Sequence, residues 1–364
     1  MKRYFNLLIV AVVLVGLLSG CQPIPAPGAA TLVSQPLPTE IVLYNWVSDL
    51  PETAIEAFTK EYGVQVRYET YESQEEAIEN IKTGKAYDVV VIDNRHIPGL
   101  ISSGKLLELN HANIPNLDNI SADFRDRSFD RGNHYSVPYN WGTTGLVVRG
   151  DLAKGPVTNW SDLWKQEEAG KVVLWKGLPR EMLGAALKSL GYSANSENEK
   201  ELELALQQLE KLRSNVIFAE EFGPDLDTSS PILTMGNAVM AVGWSYDAIE
   251  GQKEVQAISY VLPQEGALLW GDNFVIPVNS PNQYAAELFI NFILRPEISA
   301  LITNENSYAT GNEKANQYIT PDILQNPYIF PPIDVVHRAE TILPLSPAGE
   351  ALHAAIWKRF IGEP

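Results

Sequence analysis

Residues 41–92, IVLYNWVSDLPETAIEAFTKEYGVQVRYETYESQEEAIENIKTGKAYDVVVI, alternate between strand-like and helix-like patterns. Pro51 lies where a proline is tolerated at a helix start, and Gly63 lies where a glycine commonly ends a helix. In chain order, the predicted elements are the strand Ile41–Tyr44, a helix between Pro51 and Gly63, the strand Val64–Tyr68, the helix Glu75–Lys82 and the strand Asp88–Ile92. Strands that alternate with helices predict a parallel sheet covered by helices, which is an α/β fold.

The same alternation continues along the rest of the chain. Further predicted strands are Gly145–Val148, Lys171–Leu174, Ala238–Gly243 and Phe274–Pro277. Further predicted helices are Arg180–Leu190, Glu199–Arg213, Gln283–Leu294 and Ala348–Phe360. A chain of 364 residues, 45% of them hydrophobic, is long enough for two globular domains or one two-lobed unit.

The N-terminus has the pattern of a secretory signal. Basic residues precede the apolar run Phe5–Leu18, which is shorter than the ~20 residues that a membrane-spanning helix needs. Small residues then lead into Cys21, and the segment resembles the bacterial lipoprotein pattern, in which this cysteine is acylated. We predict a signal peptide over residues 1–20 and a lipid-anchored, Pro-rich linker over residues 21–38. The remainder then works in the periplasm or at the cell surface; a buried thiol after a short membrane anchor is the alternative.

Charge and composition argue against several classes of function. The chain has 27 Lys and Arg residues against 45 Asp and Glu residues, a formal net charge of −18. A field of this sign repels nucleic acids and attracts cations. The five histidines do not fall at metal-ligand spacing, and no nucleophile-elbow motif occurs. We expect no metal, no cofactor and no nucleic acid partner, and a binding protein rather than an enzyme; a secreted glycosidase with paired carboxylates is the enzymatic alternative.

Functional side chains follow three of the predicted strands. Trp46 follows the first strand, Asp93 follows the strand that ends at Ile92, and Trp244 follows Ala238–Gly243. In open α/β sheets, ligands bind outside the carboxyl ends of the strands. These positions therefore predict a ligand site, although strand-end polar residues also commonly cap the next helix.

Two short motifs place a carboxylate close to an indole. They are Trp244-Ser-Tyr-Asp247 and Trp270-Gly-Asp272. An indole face attracts an ammonium group, and a carboxylate forms charge-assisted hydrogen bonds with its N–H groups. Two such carboxylates would suit a linear diamine. The alternative is that both tryptophans are core residues and both aspartates are helix caps.

A further set of short segments is spread in order along the chain. The set comprises Leu43-Tyr44-Asn45-Trp46, Thr70-Tyr71-Glu72-Ser73, Tyr87-Asp88-Val89-Val90, the segment Val137–Gly145, Trp160-Ser161-Asp162-Leu163-Trp164, Leu190-Gly191-Tyr192-Ser193 and Asn291-Phe292-Ile293-Leu294-Arg295-Pro296. With it, the chain resembles the bacterial polyamine-binding proteins, the spermidine/putrescine receptors of ABC importers. The resemblance implies a type II periplasmic-binding-protein fold of two lobes joined by hinge strands, with the ligand in the cleft. We expect one lobe from residues 39–143 and 272–315, and the other from residues 144–271 and 316–364.

The resemblance also implies a set of ligand positions and partners. The implied ligand-binding residues are Trp46, Asp93, Glu181, Trp244, Asp247, Trp270, Asp272 and Tyr308. The implied partners are a small-molecule polyamine and the permease subunits of an ABC importer. We expect a monomer that contacts the membrane only through its N-terminal lipid.

Three residues depart from the family pattern. Asp49 replaces a tyrosine of the first loop, Arg95 stands where spermidine-type members carry a tyrosine, and Leu178 falls where they carry an aspartate. An arginine that faces a dication would weaken binding unless it points away or pairs with Asp93 or Asp49. We therefore expect a putrescine-like ligand rather than spermidine. Another small cationic or zwitterionic metabolite, or a ligand-sensing role in place of transport, is the alternative.

Overall fold

The computed structural model of the protein describes residues 36–166, 170–219 and 229–362. The predicted signal peptide, Cys21 and most of the linker lie outside these residues. The strands are β1 (Glu40–Trp46), β2 (Gln65–Tyr71), β3 (Val89–Asp93), β4 (Ser136–Arg149), β5 (Val172–Trp175), β6 (Val216–Ala219), β7 (Met240–Trp244), β8 (Ile258–Val261), β9 (Leu268–Val275), β10 (Ala309–Thr310) and β11 (Glu340–Thr341). The α-helices are α1 (Glu52–Tyr62), α2 (Gln74–Thr83), α3 (Ile97–Ser102), α4 (Pro179–Ser189), α5 (Glu199–Glu210), α6 (Ser230–Thr234), α7 (Ser245–Glu254), α8 (Gln283–Ile293), α9 (Pro296–Asn306), α10 (Pro321–Leu324), α11 (Ile333–Arg338) and α12 (Pro347–Ile361).

The sheet has two parallel ends and an antiparallel middle. Its main strand order is β2-β1-β3-β9-β4-β7-β5-β6. Strands β1, β2 and β3 run parallel, as do β5, β6 and β7, whereas β9 is antiparallel to β3 and β4, and β4 is antiparallel to β7. The predicted parallel sheet is therefore present at both ends, but the prediction was wrong in the middle, where the two long antiparallel strands β4 and β9 connect them.

The long strands β4 and β9 pass from one hydrophobic core to another. Val137 of β4 packs in a core with β1, β3, α1 and α8, whereas Val147 of the same strand packs in a core with β5, α4 and α5. On β9, Phe274 joins the first core and Leu268 joins the second. A third cluster packs α2 and α3 on the other face of β1 and β3. The middle of β4 and β9 therefore lies between two separately packed regions, as in a two-lobed fold.

The predicted helix signals act as expected at the first helix, and the second helix has a side-chain cap. Pro51 precedes α1, and Gly63 ends it with a φ of 71°, a left-handed conformation that glycine adopts without strain. At α2, the Ser73 side chain accepts a hydrogen bond from the backbone N–H of Glu76. The sequence analysis missed α9 and the N-terminal half of β9, so that Trp270 and Asp272 were not placed on a strand.

Within the described residues, every helix is too short or too polar to cross a membrane.

Candidate functional site

The middle strands bring a row of polar and aromatic side chains to one face of the sheet. Asp272 is the register partner of both Asp93 on β3 and Asn140 on β4, and Trp270 is the partner of Gly142. Directly paired residues point to the same face, and residues two apart on a strand share that face. Asp93, Asn140, Trp270 and Asp272 therefore line one surface between the two cores.

The row continues onto the second parallel end of the sheet. Thr144 lies four residues beyond Asn140 on β4, on the same face, and its register partner is Trp244 at the end of β7. The rise per strand residue puts Asn140 and Thr144 roughly 13 Å apart. The predicted strand-end residues Asp93 and Trp244 thus belong to one continuous surface.

Asp272 lies at the centre of this row and is 8% exposed. The Trp46 side chain hydrogen-bonds to it, so that the indole N–H donates to the carboxylate. Burial raises the pKa of Asp272 well above its usual range, and the neighbouring Asp49 and Asp93 raise it further. A cation placed beside Asp272 would relieve this unfavourable ionisation.

Asp49 supplies a second buried carboxyl group, which interacts electrostatically with Asp272. The side-chain nitrogens of Asn45 and Asn140 each donate to one of its oxygens at 2.9 Å. Burial raises the pKa of Asp49 to about 6, although hydrogen bonds from Asn45, Asn140 and Tyr139 lower it. Asp49 therefore adds negative charge to the site when it is ionised.

Arg95 lies between two of the predicted ligand residues. Its Nε is 3.6 Å from Asp93 Oδ1, and its Nη1 is 3.4 Å from Glu181 Oε1. Burial raises the pKa of Asp93 to about 6, and the Arg95 guanidinium opposes that rise. Of the alternatives raised for Arg95, the pairing with Asp93 is the one observed.

Aromatic side chains surround these carboxyl groups. The Trp46 ring lies 4.6 Å from that of Tyr71, and the Trp270 ring meets that of Tyr308 edge-on at 5.8 Å. Trp244 packs against Trp175, with their ring centroids 5.6 Å apart. The structure therefore places Trp46 at the Asp272 carboxyl group, Trp270 two residues before Asp272 on β9 with Tyr308 against its edge, and Trp244 at the far end of the row.

Asp247 has a different environment from Asp272. It is fully buried, and its two oxygens accept hydrogen bonds from the backbone N–H groups of Ser229 and Trp244 at 2.7 and 2.8 Å. These contacts are those of the helix-capping role that the sequence analysis gave as the alternative, and they hold Trp244 in place at the start of α7. Direct contact between Asp247 and a ligand stays a prediction.

Several buried polar atoms in and beside the row have no hydrogen-bond partner within the described part of the chain. On the row they are the acceptor Asn140 Oδ1, the hydroxyl oxygen Thr144 Oγ1 and the donor Trp270 Nε1; beside it is the acceptor Glu181 Oε2, whose carboxylate already pairs with Arg95 through its other oxygen. Buried acceptors are normally satisfied, so Asn140 Oδ1 favours a ligand that donates hydrogen bonds. An ammonium group carries N–H donors and has no acceptor atom of its own, so it matches such a site.

The carboxyl groups of the site lie near a cationic side chain. Among the described residues, no group of three or more His, Cys, Asp or Glu side chains is arranged to hold a metal ion. The carboxyl groups of Asp93, Glu181 and Asp272 instead interact with the Arg95 guanidinium, and Asp49 interacts with Asp272. Carboxyl groups in excess of cations, beside aromatic rings, suit an organic cation.

The sequence did not predict the uncharged residues that position the charged and aromatic side chains of the row. Asn45 and Asn140 orient Asp49, and Gly142 leaves the space that the Trp270 ring occupies. The alternation of small or polar residues at 140, 142 and 144 was a usable signal. It indicates one face of a strand that is not packed in a core.

Comparison with known proteins identifies the family. Residues 53–331 match the family described as bacterial extracellular solute-binding protein. The chain belongs to this family. Over 303 residues, 82% of the chain, it is 33% identical to the spermidine/putrescine-binding periplasmic protein of Escherichia coli, of which it covers 85%.

Solved structures of other solute-binding proteins share the fold. One is the substrate-binding protein of the spermidine/putrescine ABC transporter of Streptococcus pneumoniae, in complex with calcium and HEPES. Its TM-score is 0.79 at 30% identity, over 89% of this chain and 99% of that chain. Another is a lipoprotein of Treponema pallidum, with a TM-score of 0.78 at 26% identity, over 88% and 99% of the two chains. The fold is therefore that of the two-lobed periplasmic binding proteins, and the family is one of transport proteins rather than enzymes.

Proposed function

We propose that this solute-binding protein captures a polyamine outside the cytoplasm and delivers it to an ABC importer, without catalysing a reaction. The observation that carries the proposal is the buried carboxyl group of Asp272, whose pKa burial and the neighbouring carboxyl groups raise well above its usual range. An ammonium group beside it would restore the ionised form and make charge-assisted hydrogen bonds. The similarity to the Escherichia coli spermidine/putrescine-binding protein supports the same class of ligand.

In the proposed complex, one ammonium group lies against Asp272, with Asp49 behind it. The alkyl chain follows the row toward Thr144 between the rings of Trp46, Trp270 and Trp244. Each aromatic contact with a cationic group adds ~0.5–2 kcal/mol beyond the apolar area that it covers. Tyr308 supports Trp270 from its edge.

The proposed ligand is a putrescine-like diamine in preference to spermidine. Leu178, which packs against the second core, carries no charge for an additional ammonium group. Arg95 already neutralises part of the negative charge of Asp93 and Glu181. The guanidinium contacts Asp93, Glu181 and His96 of the protein itself, so it does not need the carboxylate of a zwitterionic ligand as a partner.

The proposed architecture has two lobes and a lipid anchor at the N-terminus. The lobes comprise residues 39–143 with 272–315 and residues 144–271 with 316–364, and the separate cores on β4 and β9 support this division. Ile319 and Ile323 pack with Ala300 and Ala315, which favours a last boundary somewhat later than residue 316. The protein acts as a monomer that acylated Cys21 tethers to the membrane beside its permease.

Calorimetry on the full chain in mild detergent tests the proposal. We expect saturable heat with putrescine or cadaverine and a higher unfolding temperature at excess ligand. Spermidine and spermine complete the series. The absence of heat and of a thermal shift with all four amines would contradict the polyamine assignment.

A further inference from the structure

Arg95 connects the two separately packed parts of the fold. It follows β3 and precedes α3, whose Ile97 and Leu100 pack in the core around β1 and β3. Glu181 lies in the first turn of α4, whose Met182 and Leu183 pack in the core around β5. The 3.4 Å contact between Arg95 Nη1 and Glu181 Oε1 therefore crosses the cleft.

The guanidinium is held in this position from several sides. Its Nε donates to His96 Nε2 at 3.0 Å and also lies 3.6 Å from Asp93 Oδ1. The backbone N–H of Arg95 donates to the same Asp93 oxygen at 2.9 Å. The side chains of Arg95, Asp93 and Glu181 are only 13%, 16% and 12% exposed, so that solvent screens their interactions weakly.

We infer that the Arg95 guanidinium is a built-in cation that occupies the ammonium-binding position between Asp93 and Glu181. A guanidinium does not lose its charge in proteins, so this position stays occupied by a cation at every physiological pH. A ligand ammonium that approached Asp93 and Glu181 would meet a fixed positive charge a few ångströms away. The ligand is thereby restricted to the part of the row that runs from Asp272 to Trp244.

This inference rests on the proposed function, because it specifies which polyamines the same cleft accepts. A diamine can be bound without using Asp93 and Glu181. A triamine carries an additional ammonium group, which this cleft leaves without a carboxylate partner. Arg95 is thus a specificity-determining residue that excludes longer polyamines and, through Glu181, links the two sides of the cleft.

The test compares the affinities for putrescine and spermidine, measured by calorimetry on the full chain. Arg95→Gln removes the charge and keeps a side chain of similar length, whereas Arg95→Lys keeps the charge. Arg67→Gln is the matched control for net charge, because Arg67 is 49% exposed and pairs with Glu40 on the surface. We expect Arg95→Gln to increase the spermidine-to-putrescine affinity ratio by roughly tenfold or more, the value of one charge-assisted contact. We expect Arg95→Lys and Arg67→Gln to leave the ratio near that of the wild type.

Two further variants use Glu181, with thermal unfolding as a check of folding. Glu181→Gln alone should change putrescine affinity by less than about threefold, because Arg95 and not the ligand contacts this carboxylate. In the double variant Arg95→Gln/Glu181→Gln, the gain in spermidine affinity should be lost. A tenfold loss of putrescine affinity in Glu181→Gln would overturn the inference, as would an unchanged ratio in Arg95→Gln or an equal change in Arg95→Lys. A wild-type protein that binds neither amine would instead refute the proposed function itself.

Discussion

Asp93 and Asp272 are direct partners across the antiparallel pair of β3 and β9, so that two carboxyl groups lie side by side on one face of the sheet. Burial is the main reason that the pKa of each is raised, and Asp93 adds to the rise at Asp272. When both carboxyl groups are ionised, their repulsion destabilises the unliganded protein. A ligand cation changes this repulsion into attraction, so the same pair that weakens the free protein would strengthen the complex.

Asp272→Asn should therefore separate stability from binding. This change should raise the unfolding temperature of the unliganded protein at pH 7 by a few degrees, because wild-type Asp272 must either hold a proton or ionise beside Asp93 and Asp49, whereas asparagine does neither. Putrescine binding should weaken by roughly 1.5–3 kcal/mol, the scale of a charge-assisted hydrogen bond. Differential scanning fluorimetry and calorimetry measure the two effects. A variant that keeps wild-type affinity would remove Asp272 from the site.

Ligand binding should release protons near pH 6. Asp49 and Asp93 have a pKa of about 6 in the folded protein, so each is partly protonated at that pH. A bound ammonium group favours the ionised carboxylates and displaces their protons, so affinity should rise as the pH increases from about 5 to 7. Calorimetry at pH 6 in two buffers of different ionisation enthalpy gives the number of protons released. Equal observed enthalpies in both buffers would contradict this coupling.

The same pKa shifts determine how the stability of the unliganded protein depends on pH. Burial raises the folded-state pKa of Asp49 from 3.8 to about 6, so between these values the folded state binds the proton and the unfolded chain does not. The stability that this proton supplies is present at pH 4 and is lost as the pH rises through about 6. The difference in unfolding temperature between Asp272→Asn and the wild type should accordingly grow across this range, because Asp272 must keep its proton or ionise beside the newly charged Asp49 and Asp93, whereas asparagine does neither.

Gly142 should be intolerant of any side chain. A Cβ atom at this position would lie 2.3 Å from Cζ2 of Trp270. Gly142→Ala must therefore displace the Trp270 ring from the row, and we expect about a tenfold loss of putrescine affinity with a folded protein. Gly63→Asn is a suitable control, because it also replaces a glycine but has open space around it and a left-handed φ that asparagine tolerates. Unchanged affinity in Gly142→Ala would mean that Trp270 does not contact the ligand.

Asp247→Asn should act in the opposite direction from Asp272→Asn on stability. An amide nitrogen in place of one Asp247 oxygen would face the backbone N–H of Ser229 or Trp244, which leaves a buried donor without an acceptor. The free energy of unfolding should fall by ~1–3 kcal/mol. Chemical denaturation measures this change. Stabilisation in Asp247→Asn would indicate a carboxyl group poised for a ligand rather than a cap.

The contrast between these two aspartates shows what sequence could and could not predict. Both follow a tryptophan within three residues, and the motif alone assigned them the same role. The register of β9 with β3 and β4 puts Asp272 beside two other carboxyl groups, whereas the turn from β7 into α7 directs Asp247 to backbone amides. Such long-range pairings carry no local sequence signal. The strand ends at Trp46, Asp93 and Trp244 were predictable because short buried strands have strong apolar patterns.

The Arg95 contacts illustrate the same limit at the level of one side chain. Sequence placed an arginine at a position of the predicted site and left three orientations open. Only the folded positions of α4 and the β3–α3 turn determine that it reaches Glu181 as well as Asp93. In the role proposed for Arg95, one such charge would change the specificity of the cleft while the fold and the family stay the same.

Cys21 should decide whether the protein is retained at the membrane. The predicted lipid on this cysteine and the linker that follows it would keep the protein close to its importer. Cys21→Ala should leave putrescine affinity unchanged, because the cleft residues are remote in sequence from the anchor, but should move the protein from the membrane fraction to the soluble fraction. Fractionation of cells that are metabolically labelled with palmitate measures both attachment and acylation. Palmitate label that persists in Cys21→Ala would place the lipid on another residue. Uptake of labelled putrescine into intact cells should fall in the same variant, because the binding protein is no longer held beside its importer.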